Sequence, residues 1–281
     1  MISPQQCGSP RAIPTRMAAI QMVSGPDVEA NLAEAGRLLT LAAEQGARLA
    51  ALPEFFPVMG LHESDKIKVR ERFGVGPIQT FLADMARSLS LWIVGGSVPL
   101  QGKGADKVLN TCLVYDDTGR LAARYDKIHL FGFDNGRERY VEANTIEAGS
   151  EIVTVDSPFG RLGLSVCYDL RFPELYRRMG QVDVILVPSA FTATTGKAHW
   201  ETLLRARAIE NLAYVVAPAQ GGRHPSGRET HGDTMIIDPW GEVLQRLPRD
   251  PGVVTASIDP ERIRAVRASL PALEHRTLGP C

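Results

Sequence analysis

The 281-residue chain is 44% hydrophobic and 22% charged, ordinary values for a soluble globular protein and enough for one large domain or two small ones. Its net charge of -1, with both signs scattered along the sequence, excludes a basic field that would collect nucleic acid or anionic lipid and leaves a small molecule as the expected partner. Four cysteines without close pairs argue against a disulfide framework or a thiolate metal site and for a reducing compartment such as the cytoplasm.

Residues 1 to 15 lack the basic start and apolar stretch of a secretory signal and read as a flexible lead-in, and no apolar run is long enough to cross a bilayer. Met17 to Val23 then reads as a strand and Asp27 to Glu44 as a helix closed by Gly46, a first β-α unit. A strand at Leu49 to Leu52 follows. Pro77 opens a helix that places Ile78, Phe81, Leu82, Met85 and Leu89 on one face, and Leu91 to Val94 returns as a strand. Thr111 to Tyr115 and Leu121 to Tyr125, joined by Asp116-Asp-Thr-Gly119, read as a hairpin, as do Thr234 to Ile237 and Glu242 to Arg246 around Asp238-Pro-Trp-Gly241. Val182 to Val187, a helix over Ala198 to Leu212 and a strand over Ala213 to Ala217 complete the alternation. The pattern predicts an α/β fold of two mixed sheets packed face to face with helices outside both, in a single domain.

Cys167 ends the apolar run Leu162-Gly-Leu-Ser-Val-Cys167 and is followed by Tyr168-Asp-Leu-Arg171-Phe-Pro173-Glu-Leu, so the thiol sits where a buried strand is expected to turn into a helix. Pro173 has its φ preset for a first helical turn, and the unpaired N–H groups there would favour a thiolate. The same cysteine also reads as a buried structural thiol. Two further charged residues stand at strand ends. Glu54, in Leu52-Pro-Glu54-Phe-Phe, suits a general base whose pKa apolar neighbours would raise, or a residue capping a turn. Lys127, in Tyr125-Asp-Lys127-Ile-His-Leu, suits a fixed charge for an oxyanion, or a solvated lysine.

Together these three segments resemble, in order and spacing, the Glu-Lys-Cys triad of the nitrilase superfamily of carbon-nitrogen hydrolases. The match extends over nearly all of residues 17 to 276 and includes Pro188-Ser-Ala-Phe191-Thr-Ala-Thr-Thr195-Gly and Leu204-Arg-Ala-Arg-Ala-Ile-Glu-Asn211. The resemblance implies an α-β-β-α sandwich over residues 16 to 276, a short tail at 277–281, a homodimer or higher homo-oligomer, and hydrolysis of a nonpeptide carbon-nitrogen bond without metal or organic cofactor. It further implies that Glu54 is the base, Lys127 the oxyanion charge, Cys167 the nucleophile, the backbone N–H of Tyr168 a second oxyanion donor, and Glu142 the second glutamate beside the lysine.

Arg171, four positions after the thiol, reads either as a partner for a substrate carboxylate or as an ion pair tying the new helix to the sheet. Phe191 and Thr195, on the loop expected after the Val182 to Val187 strand, resemble pocket positions of amidases acting on 2-oxo dicarboxylate monoamides. Arg223-His224 after Ala219-Gln-Gly-Gly is more similar to the deaminated glutathione amidase branch than to the omega-amidases. That branch cleaves the amide to 2-oxoglutarate and cysteinylglycine; nitrile or N-carbamoyl hydrolysis with the same triad, and a noncatalytic binding member, are the alternatives.

Other motifs carry less. Gly163-Leu-Ser165-Val-Cys167 lacks the final glycine of a serine-hydrolase elbow, so Ser165 reads as core, and Gly102-Lys103-Gly104 lacks the spacing of a phosphate loop and reads as a surface turn. The six histidines show no metal-ligand spacing; His231 remains a candidate for the pocket wall, and His199-Trp200-Glu201 reads as a helix start. The segment Pro260 to Leu270, with Arg262, Arg264 and Arg267 among apolar residues, reads as a partly covered helix that suits a subunit interface.

Overall fold

The structure, a computed structural model, describes residues 14–278. Most of the expected lead-in and the last residues of the tail lie outside the described residues, whereas Thr15, assigned to the lead-in, already belongs to the first strand. In chain order the elements are β1 (Thr15–Gln21), α1 (Val28–Glu44), β2 (Leu49–Ala51), α2 (Asp65–Lys68), α3 (Pro77–Leu89), β3 (Trp92–Val94), β4 (Val98–Gln101), β5 (Val108–Tyr115) and β6 (Leu121–Asp126). There follow β7 (Gly132–Asp134), β8 (Arg139–Val141), β9 (Ile146–Glu147), β10 (Thr154–Ser157), β11 (Gly160–Leu164), α4 (Pro173–Arg178), β12 (Val184–Leu186), α5 (Ala193–Asn211) and β13 (Tyr214–Ala217). The chain closes with β14 (Gly221–Arg223), β15 (Glu229–His231), β16 (Thr234–Ile237), β17 (Val243–Leu247), β18 (Gly252–Ile258) and α6 (Pro260–Ser269).

Two mixed sheets carry the fold, as expected. An 8-stranded sheet runs β18-β1-β2-β3-β5-β4, with β6 and β9 also paired to β5, and a 6-stranded sheet runs β10-β11-β12-β13-β16-β17. Strands buried on both faces need apolar residues at every position, with alternate side chains serving different layers. In β1 and β2, Met17, Ala19, Leu49 and Ala51 face the second sheet and share a core with Leu164, Leu186 and Val216. The intervening Ala18, Ile20 and Ala50 pack with Leu38 and Leu39 of α1 and Leu82 of α3. Trp200, Leu204 and Ala208 of α5 and Ile263 of α6 cover the other face of the second sheet. The layers are therefore helix, sheet, sheet, helix. Among the described residues, no helix is long and apolar enough to cross a membrane.

Local chemistry explains where the elements start and stop. Asp27 caps α1 by accepting from the Ala30 N–H, and α3 begins at Pro77 and stops at Ser90, whose φ of 49° is left-handed. Ile78 and Leu82 of α3 are fully buried, while Phe81, Met85 and Leu89 of the expected face are partly buried against the same core. Helix α5 begins five residues before Ala198, because the Thr192 hydroxyl accepts from the Thr195 N–H and fixes the first turn there. Thr195 is thus helical rather than part of a loop, and His199 lies in the second turn. Strand β18, which the sequence reading passed over, pairs with the whole of β1 from Thr15 opposite Ile258 to Gln21 opposite Gly252. In α6, Arg262 pairs with Asp238 at 2.8 Å and Arg267 with Asp183 at 3.0 Å, Val266 is buried, and Ile263 is buried in the core shared with the second sheet, the partly covered face anticipated.

One glycine bears on the site. Gly96 has φ of 51°, and a Cβ there would stand 2.1 Å from the carbonyl oxygen of Pro53, immediately before Glu54. Gly96→Ala is expected to destabilise the protein by more than about 1 kcal/mol, because both the left-handed backbone and the close approach disfavour a side chain. Denaturant unfolding measures this, and a midpoint equal to the parent's would contradict it.

Candidate active site

Each leading candidate follows a strand whose hydrogen-bond ladder continues past its last residue. Beyond β2, the Leu52 N–H donates to Val94 O at 2.9 Å and the Phe55 N–H to Ser97 Oγ at 2.9 Å, which fixes Glu54 between them. Beyond β6, the Lys127 N–H donates to Asn110 O and the Gly149 N–H to Lys127 O, each at 2.9 Å. Beyond β11, the Ser165 N–H donates to Leu186 O at 3.2 Å and the Cys167 N–H to Pro188 O at 2.9 Å. Cys167 has φ of 51°, a left-handed conformation that costs a residue other than glycine about 1–3 kcal/mol and is held here by its neighbours.

These ladders bring Glu54, Lys127 and Glu142 into direct contact. Lys127 Nζ lies 2.9 Å from Glu54 Oε1, and 3.1 and 2.8 Å from Glu142 Oε1 and Oε2. Burial opposes the charge on Lys127, but Glu142, Glu54 and the neighbouring Cys167 outweigh it and hold the ammonium protonated well above the ordinary lysine range. Glu54 is not among apolar groups alone, as the sequence reading supposed, because Asn110 Nδ2 also donates to its Oε1 at 2.9 Å. Glu142 sits on a short 3-10 turn after β8 and accepts the Phe131 N–H at 2.8 Å.

The thiol differs from expectation. Cys167 opens a 3-10 turn spanning Cys167–Arg171, and α4 starts only at Pro173, so the sulfur does not sit on an α-helix N-terminus. Burial, and then the Glu54 charge, push its pKa well above the ordinary range, while Lys127 and a hydrogen bond from the Ala190 backbone pull the other way. Burial and the neighbouring Glu54 charge thus favour the protonated thiol over a preformed thiolate. Cys112 is also buried, and its pKa is pushed up to about 12 by burial with no ionisable neighbour involved. Charged neighbours distinguish Cys167 from this core thiol. The Tyr168 N–H has no acceptor among the described residues and is available to a ligand, whereas the Cys167 N–H is already bonded to Pro188.

A narrow cleft of about 10 Å³ lies against the buried Cys167, and Glu54, Glu142, Tyr168, Arg171, Phe191 and Thr195 line it with the thiol. Lys127, with no exposed surface, lies behind Glu54 and Glu142. Arg171 makes no ion pair with a described carboxylate, so it does not tie a helix to the sheet; its guanidinium lies over the Tyr168 and Phe191 rings and 3.2 Å from His199 Nδ1. Ser165 is core, as anticipated, donating to Leu186 O at 2.8 Å. His231 does not reach the cleft: it pairs with Asp233 at 3.6 Å and lines a separate depression beside Trp200. Arg223 is exposed, and His224 is buried against Ser24 O at 2.8 Å and Thr230 Oγ1 at 2.7 Å, so neither lines the cleft.

Sequence reasoning missed three contributors. Asp169 is fully buried and accepts from Tyr125 Oη at 2.7 Å, the Val166 N–H at 2.9 Å and the His129 N–H at 3.0 Å, tying the Lys127 segment to the Cys167 turn. Its place two residues after the thiol was the available signal. Asn110 supports Glu54, and Arg228 forms part of the cleft wall; neither stands in a motif that marks it.

With this geometry in view, the chain belongs to the carbon-nitrogen hydrolase family, whose model matches residues 16–268. It is thus a member of the nitrilase superfamily that its motifs resemble. A deaminated glutathione amidase of Synechocystis sp. is 45% identical over 269 residues, covering 94% of this chain and 98% of the relative. A deaminated glutathione amidase of Yersinia enterocolitica is 38% identical over 264 residues, or 92% of each chain. The crystal structure of Saccharomyces cerevisiae Nit3, a member of branch 10 of the nitrilase superfamily, gives a TM-score of 0.86 at 28% identity, covering 95% of this chain and 97% of that one.

The raised thiol pKa has a measurable sign. An acid whose pKa is raised stays protonated to higher pH, so the ultraviolet thiolate absorbance of the parent minus that of Cys167→Ala should stay flat through neutrality and rise only in alkali. A rise centred below about pH 7 would refute the assignment of a neutral resting thiol.

Proposed function

We propose that the protein is a cysteine-dependent amidase that hydrolyses the amide of deaminated glutathione through a thioester on Cys167. The observation that carries the reaction type is a buried thiol that lines one narrow cleft with Glu54, whose carboxylate holds the buried Lys127 ammonium at 2.9 Å. The substrate class rests on Arg171, a guanidinium in the same cleft without a carboxylate partner, and on the names of the relatives that match most of the chain.

In this reading Glu54 takes the thiol proton as the sulfur attacks the amide carbon. The Tyr168 N–H hydrogen-bonds the resulting oxyanion, and Lys127, engaged by its two carboxylates, acts on it through its charge. Protonated Glu54 then gives its proton to the departing amine as the carbon-nitrogen bond breaks, leaving an acyl-thioester. Glu54 next takes a proton from water, which attacks the thioester and releases the carboxylic acid and the thiol. Glu142 holds the lysine in place from the other side. Arg171 binds the carboxylate of the 2-oxo acid half, with Phe191 and Thr195 shaping that end of the pocket.

Cys167→Ala is expected to lower kcat at least about a thousandfold with the fold intact, and Glu54→Gln about 100-fold or more. The assay must follow 2-oxoglutarate or cysteinylglycine, because an amine rather than ammonia leaves. Mass spectrometry of quenched parent enzyme should find the acyl group on Cys167; turnover by Cys167→Ala at the parent rate would end the proposal.

A homodimer belongs to the same reading. Ile209 of α5 and Trp240 of the β16–β17 turn are 45% and 55% exposed, and Gly241 backs directly onto Ile209, so an apolar patch lies on one outer face. Light scattering should give twice the chain mass for the parent and the chain mass for Ile209→Asp/Trp240→Asp, and a monomeric parent would refute it. The unpaired thiols Cys112 and Cys167 suit the reducing cytoplasm.

A further inference from the structure

The catalytic cleft has a neighbour. A second depression of about 180 Å³ is lined by Phe55, Met59, Glu63, Lys66, Tyr140 and others, and among the described residues only Arg228 lines both cavities. Arg228 is placed by the β14–β15 hairpin, whose turn closes with the His224 N–H donating to Arg228 O at 2.9 Å. The buried His224 ring anchors that turn to Ser24 O and Thr230 Oγ1. The Arg223-His224 dipeptide that resembles one branch of amidases therefore acts on this cleft indirectly, by positioning Arg228.

The guanidinium of Arg228 is only partly matched. Nη2 donates to Ala190 O at 3.2 Å, the group lies 5.0 Å from the Tyr140 ring, and Nη1 is 3.8 Å from Glu63 Oε1. Nε is buried with no partner. Glu63 bonds Lys66 Nζ at 2.6 Å, so that carboxylate is shared between two cations, and Glu138, the other acid near Tyr140, accepts from Thr194 at 2.8 Å. Lys66 and Arg228 share the one Glu63 carboxylate, and the buried Nε of Arg228 at the cavity junction lacks an acceptor, so a ligand that supplies one there is favoured.

We propose that the second depression is the leaving-group subsite of the enzyme and that Arg228 binds a carboxylate carried by the amine half of the substrate. This rests on the amidase reading above. Arg171 and Arg228 both line the cleft around Cys167; Arg171 has no carboxylate partner and Arg228 has only Glu63, 3.8 Å away and shared with Lys66, so the site takes an amide with an anionic group on each side of the scissile bond. Cysteinylglycine ends in such a carboxylate; ammonia, released from 2-oxoglutaramate, has none. Arg228 then sets the preference for amides of an acidic amine over primary amides, while Arg171 serves both.

The test compares kcat/KM for deaminated glutathione and 2-oxoglutaramate in the full chain and in Arg228→Gln. The ratio of the two should fall about 10- to 100-fold in the variant, the range of a lost charge-assisted hydrogen bond, mainly through KM for deaminated glutathione. Ser226→Trp, which fills the second depression from an exposed turn, should lower the same ratio without removing a charge. Equal losses on both amides, or an unchanged ratio in both variants, would overturn the subsite with the amidase reading intact. A parent inactive on both amides would overturn the amidase reading and the subsite with it.

Discussion

A fully buried ammonium is the constraint around which the site is arranged. Taking a lysine charge out of water costs several kcal/mol unless fixed partners replace the solvent, and Lys127 obtains them from Glu54 and Glu142. Those partners come from the end of β2 and from the 3-10 turn after β8, so the ion cluster forms only when distant segments have been brought together by the sheet. With one cation and two carboxylates the cluster carries an excess negative charge. Burial first, and then the Glu54 charge, favour the protonated Cys167 thiol, and in the proposed reaction the same Glu54 removes its proton during attack. Moving the proton from sulfur to Glu54 leaves the total charge unchanged, which avoids creating new charge in a buried place.

The sulfur must be held against this cluster, and Asp169 does so. Its carboxylate accepts from Tyr125 and His129, which flank Lys127, and from the N–H of Val166, just before the thiol. The left-handed backbone of Cys167 is maintained between this anchor and the Cys167 N–H bond to Pro188 O. Pulling the Cys167 N–H away from the reaction leaves the Tyr168 N–H as the unpaired donor of the turn. The strained conformation and the proposed oxyanion donor thus share one turn geometry.

Much of this was legible in the sequence, and the parts that were not share a cause. Strands β2, β12 and β13, and Met17 to Ile20 of β1, announced themselves because continuous apolar residues suit burial on both faces, and the charged residues just beyond strand ends marked the site. Strand β18 was missed because Gly252–Ile258 mixes small, polar and branched residues, and its pairing with β1 spans almost the whole chain. The first turn of α5 was missed because Ala193-Thr-Thr-Gly196 reads as a loop by propensity, yet the Thr192 cap and burial of Thr195 and Gly196 override it. The thiol's environment was misjudged from its own segment, since the charged groups beside it, Glu54 and Lys127, lie 113 and 40 residues earlier in the chain. Arg228 carried no motif; only the hairpin's folding onto Ala190 places it at the cleft.

The division of labour follows from where each residue stands. Glu54, Lys127 and Cys167 lie on continuations of sheet ladders, so their mutual distances are set by the most constrained part of the fold. Arg171 and Arg228 lie on a 3-10 turn and on the loop of the β14–β15 hairpin, which is a sheet of only two strands. Changes in such a hairpin alter its reach or charge without moving the strand ends behind it. Bond cleavage therefore depends on the sandwich core, and recognition depends on the short elements above it. In the proposed reading a substrate is selected by what its two ends carry, and the same ion cluster acts on the amide between them.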